Sequence, residues 1–304
     1  MSSPRALSGA AFATLLLIAL MMGGNHVAAR LAFNNGVDVA TAVVFRSAVT
    51  ALVLFALLRV QRVPFAFNTL SARQQRFLPL IGLLIGFQSL SIYSSVARLP
   101  VALALLAFNT YPLWTALWAR LLYRHRAEPR VLRAMPVMLV GLALALDVLG
   151  ASSGLGASAQ WQQIGVGVAF ALAAAALFGL AMILTQHEIT SLDGRVRTFS
   201  TMAIVAVLAL AGVAVQGGFA LPDAAAGWWG LAALTFLYGT AFTIMFTVLP
   251  RLGVVGNSAI MNVEPIFALV LAWALLGQSI ATVQLAGALL VVATVVWLGL
   301  RKGA

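Results

Sequence analysis

The chain has 304 residues, of which 62% are hydrophobic and only 8% are charged. Soluble domains carry roughly 25% charged residues, so this composition excludes a water-soluble globular protein. A helix that crosses a bilayer needs about 20 mostly apolar residues. The absence of cysteine excludes disulfides and thiolate chemistry, and the three isolated histidines have no metal-site spacing, so no metal or other cofactor is expected.

Ten apolar runs follow one another along the chain, separated by charged, glycine-rich or proline-rich segments. Each run predicts a membrane-spanning helix. The predicted spans are 9–31, 38–58, 77–97, 99–122, 131–150, 164–186, 198–219, 227–249, 254–277 and 281–300. The predicted fold class is therefore an all-α integral membrane protein with ten transmembrane helices. A kinked single helix is the alternative at the tight breaks 98–100 and 250–253.

The basic residues fall in alternate connections between these spans. With the N-terminus in the cytoplasm, 15 of the 18 Lys and Arg residues lie on the inner side, as the positive-inside rule requires. The net charge of +11 is thus a topology signal and does not indicate a nucleic-acid partner. We expect a multi-pass protein of a bacterial-type inner (plasma) membrane with both termini cytoplasmic. Its expected partners are bilayer lipid and a small-molecule substrate, and the protein itself is expected to be a monomer or a weak dimer.

The N-terminal segment allows a second interpretation. Arg5, the apolar stretch 10–22 and the small residues 27–29 together resemble a secretory signal with its cleavage site. Cleavage would leave nine spans and the same inner loops. Asn25 and His26 favour a retained first helix that faces a pore or an interface.

The sequence also repeats itself at a shift of 153 residues. The matched pairs are Leu99 with Leu252, Val101 with Val254, Asn109 with Asn262, Pro112 with Pro265, Ala119 with Ala272 and Leu122 with Leu275. An Asn-x-x-Pro motif thus recurs in the middle of the fourth and ninth spans, and composition does not explain it. Five spans in each half make the second half enter the membrane in the opposite sense. We therefore expect two inverted five-helix repeats, residues 1–150 and 151–304, in a single membrane domain.

Several motifs distributed over nearly the whole chain point to one family. They are Gly24-Asn25, Phe45-Arg46, the run 99–106 followed by Tyr111-Pro112, and Asn262 to Pro265 followed by Leu275 to Gly277. On these motifs the chain resembles the ten-helix EamA-type carriers of the drug/metabolite transporter superfamily, and most of all the YddG-type aromatic amino-acid exporters. That family often ends its fourth and ninth helices with Gly-Glu, which this chain lacks, so no role is carried over for those glutamates.

Two charged residues lie in the middle of the predicted spans, Arg46 and Glu264. A charge at this depth is costly unless it faces a cavity or a partner. Glu264 is a candidate substrate-binding residue and Arg46 a possible buried charge partner. The alternative is a structural role, in which they pair with each other or with backbone carbonyls.

Pro112 and Pro265 predict helix breaks at equivalent depths. A proline frees the carbonyl four residues earlier and bends the helix, so unpaired backbone oxygens are expected near the midplane. The substrate is expected at this level. Asn109 and Asn262 either bind it or satisfy the broken backbone.

The remaining candidate substrate-binding residues flank these breaks. Tyr111 is the repeat equivalent of Glu264, which predicts a site with one aromatic and one acidic wall, and an ammonium group suits both. Gln88 and Ser91 belong to a polar stripe on the third span that faces either a cavity or a packed neighbour.

Two aromatic residues complete the candidate set. Tyr238 in the eighth span is a candidate for its hydroxyl, although an aromatic face more often meets lipid or core. Phe178 in the sixth span is a candidate that the resemblance to the exporters implies.

These features predict a secondary transporter that exports small solutes by alternating access through a central cavity, and amino acids, including aromatic ones, are the favoured substrate class. The alternative is an exporter of lipophilic cations, drugs or other small metabolites. No Gly-x-x-x-x-Gly-Lys-Ser/Thr loop is present, which argues against an ATP-driven pump, and Glu264 has no second carboxylate with which to form a catalytic pair, so no enzyme is expected. The first span has no acid that could exchange protons, so either Glu264 titrates or the solute runs down its own gradient.

Overall fold

A computed structural model describes residues 9–63, 70–125, 129–150, 153–248 and 263–300. These residues form helices α1 (Gly9–Phe33), α2 (Val39–Val60), α3 (Ala72–Val96), α4 (Val101–Phe108), α5 (Tyr111–Tyr123), α6 (Pro129–Ala145), α7 (Ala157–Glu188), α8 (Gly194–Val215), α9 (Ala225–Thr247), α10 (Glu264–Leu276) and α11 (Thr282–Leu300). Seven apolar segments in these ranges are long enough to cross a membrane, one of them α4 and α5 together, and three shorter apolar helices accompany them. The predicted all-α membrane class is confirmed.

The helix bounds differ from the predicted spans at several ends. Helix α7 starts at Ala157, seven residues before the predicted start at 164, because polar residues extend it beyond its apolar stretch. The break at 98–100 is real, since α3 ends at Val96 and Pro100 is the N-cap of α4. The break at 250–253 lies outside the described residues.

The fourth span is interrupted and not merely bent. Helix α4 ends at Phe108, and α5 begins at Tyr111. Pro112 has no N–H to offer the carbonyl of Phe108. The Thr110 hydroxyl instead turns back and donates to the carbonyl of Ala107 at 2.8 Å. The break therefore leaves polar backbone in the middle of the protein.

Helices α5 and α10 have the same plan. Each has 13 residues, carries a proline in its first turn and ends in a left-handed C-cap, Arg124 at φ 56° and Gly277 at φ 64°. The two helices start 153 positions apart, at Tyr111 and Glu264. Glycine adopts this C-cap conformation freely, whereas Arg124 adopts it at a cost of roughly 1–2 kcal/mol.

The most extensive helix contacts keep their pattern when each span is exchanged for the span five places away. Helix α3 packs on α7 as α1 packs on α9, α5 packs on α7 as α1 packs on α10, and α3 packs on α8 as α2 packs on α9. The pairs α2 with α8, α6 with α11 and α4 with α10 map onto themselves. The most extensive contacts thus join helices of residues 1–150 to helices of residues 151–304.

Helix α4 lies at the centre of this arrangement. All of its residues from Val101 to Ala107 are buried. Large apolar side chains are exposed on the periphery instead, among them Leu52, Phe236 and Trp273, as expected of a surface that faces lipid. The break between α4 and α5 is therefore enclosed by protein.

Candidate functional site

Polar side chains from five helices meet in the protein interior. We call them the interior polar cluster: Asn25 and His26 of α1, Arg46 of α2, Tyr93 of α3, Tyr238 of α9 and Glu264 of α10. Five of the six are buried, and the Glu264 side chain is 22% exposed. A polar group at this depth is costly without partners, so the cluster is the first candidate for function.

Helix packing explains how Glu264 reaches α1. A Cβ atom at Gly23 would lie 2.9 Å from the backbone oxygen of Glu264, so a glycine lets the start of α10 approach. His26 follows Gly23 by about one helical turn. Its Nε2 lies 3.5 Å from the Oε1 atom of Glu264.

Glu264 is the first residue of α10. A helix N-terminus favours a negative charge, and within the described ranges His26 is the base that lies within ion-pair distance of it. No ion pair joins Arg46 to Glu264 in this part of the chain. The structure places His26 at the position that the sequence had suggested for Arg46.

Arg46 lies against two tyrosines. Its Cζ atom is 3.9 Å from the ring centroid of Tyr238 and 4.8 Å from that of Tyr93, which are cation–π distances. The Tyr93 hydroxyl donates to Oδ1 of Asn25 at 2.8 Å, and the Tyr238 hydroxyl points to the sulfur of Met202 at 3.7 Å. Tyr238, at 5% exposure, thus contacts Arg46 in the interior and not an open surface.

An aromatic cluster forms at the break between α4 and α5. Tyr111 meets Phe178 edge to face at 5.1 Å between ring centroids, and Phe108 lies 5.7 Å from Tyr111 and 5.4 Å from Phe178. All three rings are half-buried. Two predicted site residues from opposite halves of the chain are therefore in contact, and Phe108 joins them.

The other predicted residues occupy more varied positions. Asn109 is the C-cap of α4 and is 6% exposed, and its Nδ2 has no hydrogen-bond partner among the residues that the structure describes. Gln88 and Ser91 are half-buried on α3, and the Ser89 hydroxyl lies 3.4 Å from Oε1 of Gln88. Asn262 lies outside the described residues. Pro112 and Pro265 both stand in the first turn of their helices.

A second polar cluster lies at the end that the sequence predicts as cytoplasmic. We call Arg73, Tyr123, His187 and Glu188 the inner-end cluster. The Arg73 guanidinium and the Tyr123 hydroxyl both donate to the buried Glu188 carboxylate, and the Tyr123 ring stacks on His187 at 3.9 Å. These contacts join α3 and α5 to α7.

Four functional candidates were missed or left without a role in the sequence: Asn25, His26, Tyr93 and Phe108. The adjacent polar pair Asn25-His26 within an apolar span was the available signal, whereas nothing in the sequence distinguished Tyr93 or Phe108. In the described ranges no three His, Asp or Glu side chains gather where they could hold a metal ion.

Comparison with known proteins identifies the fold and the family. No curated protein matches this sequence. A solved structure titled only "Crystal structure of protein" is similar over 97% of this chain and 100% of its own, at 16% identity and a TM-score of 0.60. That likeness shows the fold alone. The sequence model of the EamA-like transporter family matches twice, over residues 8–146 and 165–300, and the chain therefore belongs to the EamA-like transporter family.

Proposed function

We propose that this protein exports small zwitterionic solutes, amino acids and aromatic ones among them, by alternating access around the interior polar cluster. The family consists of transporters of small solutes, and the substrate is the part we add. The observation that carries it is Glu264, an acidic side chain that is partly exposed in the protein interior. A carboxylate there suits an ammonium group.

The aromatic cluster supports an aromatic substrate. Tyr111 begins α5 as Glu264 begins α10, and α4, which leads into Tyr111, packs on α10. Ring faces at the break between α4 and α5, which is the repeat equivalent of the helix start that carries the acid, suit an aromatic side chain or a second contact to the ammonium. This arrangement favours the YddG-type subgroup within the family.

Alternating access is supported by symmetry. The family model matches each half of the chain separately, and the most extensive helix contacts follow the same pattern when the halves are exchanged. Inverted repeats of residues 1–150 and 151–304 would produce this pattern. Transport would then consist of one half rocking on the other, with the breaks at Pro112 and Pro265 at the pivot level.

The polar side chains at the helix ends support the proposed topology. Arg195, at the start of α8, donates to the side chain of Gln61, at the end of α2, and the inner-end cluster gathers Arg73 with the ends of α5 and α7. These basic residues belong to connections that the positive-inside rule places in the cytoplasm. We therefore propose a bacterial-type inner-membrane protein with both termini cytoplasmic. The interior polar cluster is formed within one chain, so transport needs no second copy, and we propose a monomer or a weak dimer.

The test is uptake by proteoliposomes of purified protein. We expect saturable uptake of labelled amino acids that other amino acids compete with. Glu264→Gln should raise KM strongly, because the counter-charge of the ammonium is lost, while Asp223→Asn, which changes an acid in the segment between α8 and α9, should leave KM unchanged. An imposed pH gradient distinguishes proton-coupled from downhill flux.

Two outcomes would overturn the proposal. Unchanged amino-acid uptake by Glu264→Gln, with a lowered Tm, would make Glu264 a structural residue. Transport of lipophilic cations without any amino acid would assign the acidic and aromatic groups to a drug carrier.

A further inference from the structure

Three donor atoms in the interior polar cluster have no hydrogen-bond partner in the described part of the chain. They are Nε and Nη2 of Arg46 and Nδ2 of Asn25. Nδ1 of His26 is also unpaired, and whether it carries a proton depends on its tautomer. All three side chains contact Tyr93, so the residues that carry these unpaired atoms lie around one tyrosine.

Unpaired donors at this depth are unusual. Buried polar groups in native proteins are nearly always paired, and a guanidinium in the membrane interior needs an acceptor most of all. Arg46 is 3% exposed and Asn25 is fully buried, so bulk water does not satisfy them. The tyrosine rings against Arg46 compensate part of its charge, but Nε and Nη2 have no hydrogen-bond acceptor among the described residues.

The pattern of unpaired atoms on Arg46 is informative. Nε and Nη2 share one edge of the planar guanidinium, and their N–H bonds point in the same direction. This edge matches the two oxygens of a carboxylate in a bidentate pair. The Asn25 amide, which contacts the same Tyr93, adds a further unpaired donor.

We infer that Arg46 and Asn25 form a carboxylate-binding site for the transported solute. The inference rests on the proposed carrier function and adds which end of the solute this site recognises. A zwitterion would place its ammonium at Glu264 and its carboxylate at Arg46, and the net charge of the interior would stay the same. A cation without a carboxylate would leave the Arg46 edge unpaired.

The site is occluded in this conformation. The unpaired atoms have no solvent-accessible surface, because α3 and α9 cover Arg46 with Tyr93 and Tyr238. A solute reaches the guanidinium edge only when these helices move apart. Binding of the carboxylate is thereby tied to the conformational change.

The experiment compares competitors that share a benzyl group and differ in their charged ends. Proteoliposomes take up labelled phenylalanine in the presence of unlabelled phenylalanine, phenylalaninamide, phenethylamine or 3-phenylpropanoate. Wild type should discriminate against the amide by about tenfold or more, since the amide leaves donors unpaired. Arg46→Gln should lose that discrimination, and Arg46→Lys should keep part of it. Arg98→Gln, which removes another arginine stacked on a ring, should behave as wild type.

The outcomes separate this inference from the proposed function. Equal competition by phenylalanine and its amide in wild type overturns the carboxylate site and leaves amino-acid transport standing. Uptake of 3-phenylpropanoate that depends on Arg46, with no uptake of amino acids, overturns the proposed substrate and supports the site. If the Arg46 variants do not fold, thermal shifts of the wild-type protein decide: greater stabilisation by phenylalanine than by its amide supports the site, and equal or no stabilisation overturns it.

Discussion

Gly23 and Gly179 make equivalent close contacts in the two halves of the chain. A Cβ at Gly23 would lie 3.1 Å from the backbone nitrogen of Ala268, and one at Gly179 would lie 2.8 Å from that of Thr115. Ala268 and Thr115 are 153 positions apart, as in the sequence repeat. Each glycine therefore lets an interrupted span approach the first helix of the other half, and this approach positions Glu264 on one side and Tyr111 on the other.

Gly179→Ala tests the contact directly. Alanine in place of glycine inside a helix normally stabilises it by about 0.5–1 kcal/mol. At Gly179 the new methyl meets backbone of α5, which has to move, so we expect a net loss of about 1–3 kcal/mol. The same change at Gly165 of α7 meets only the Trp161 ring at 3.5 Å and should not destabilise the protein. Thermal unfolding in detergent measures the Tm of wild type and of both variants. Equal Tm values for the two variants would contradict the close-contact role of Gly179.

Phe178→Leu tests the aromatic cluster. Edge-to-face aromatic contacts contribute about 0.5–1.5 kcal/mol beyond area burial, so KM for phenylalanine should rise by about two- to tenfold while KM for alanine changes little. Phe236→Leu is the control, because that ring is 67% exposed on the periphery. Competition uptake with the two amino acids measures the ratio, and an equal loss for both would remove Phe178 from the binding site.

Much of the fold could be predicted because it depends on local patterns. Apolar length identified the spans, and Pro112 indicated the break in the fourth span. The extent of that break could not be predicted, because it depends on how Thr110 and the carbonyl of Phe108 are accommodated by neighbours. Sequence patterns describe one helix at a time.

The candidate site was predicted less completely for the same reason. Glu264 stood out as a charge in a span, but its contact with His26 arises from the packing of α10 on α1 at Gly23. Arg46 was noticed as a charge, whereas its cover by Tyr93 and Tyr238 requires three helices from both halves. Contacts between distant helices carry no periodic signal in the sequence.

We expect the stability of the protein to depend on pH through Asp38, which lies at the opposite end of the protein from the inner-end cluster. It caps α2 by accepting from the Thr41 N–H at 2.9 Å. It also accepts from the N–H of Ala220, in the segment between α8 and α9, at 3.2 Å. Burial raises the pKa of Asp38, but hydrogen bonds from Gln216, Thr41 and Ala220 outweigh it and hold the pKa below its ordinary value. The folded state therefore binds its proton less readily than the unfolded state.

The sign of the effect follows from that direction. A lowered pKa adds stability that is fully present above the ordinary carboxyl pKa of 3.8 and is lost as the pH falls through the folded value. Asp38→Ala should cost about 0.5–2 kcal/mol at neutral pH. Asp38→Asn keeps a cap without a charge, so its disadvantage relative to wild type should shrink on acidification. Unfolding curves over this pH range measure it, and a constant difference would show that Asp38 does not titrate with folding.

We expect Glu188 to control how readily the protein opens at its inner end. Its buried carboxylate accepts from Arg73 on α3 and Tyr123 on α5, so three helices from both halves meet there. Glu188→Gln removes the charge and weakens both contacts, which should favour conformations open at this end. The chain has no cysteine, so a single Leu84→Cys in the middle of α3, where the side chain is half-buried, reports opening without background labelling.

We expect an impermeant thiol reagent, applied from the cytoplasmic side, to label Leu84→Cys severalfold faster when Glu188→Gln is also present. Arg73→Gln should accelerate labelling in the same way, and the two changes together should add little, because they break one shared contact. Asp38→Asn acts at the other end and serves as the control. Fully additive acceleration by Glu188→Gln and Arg73→Gln would mean that the two residues stabilise the inner end independently, and unchanged labelling would assign the inner-end cluster to stability alone.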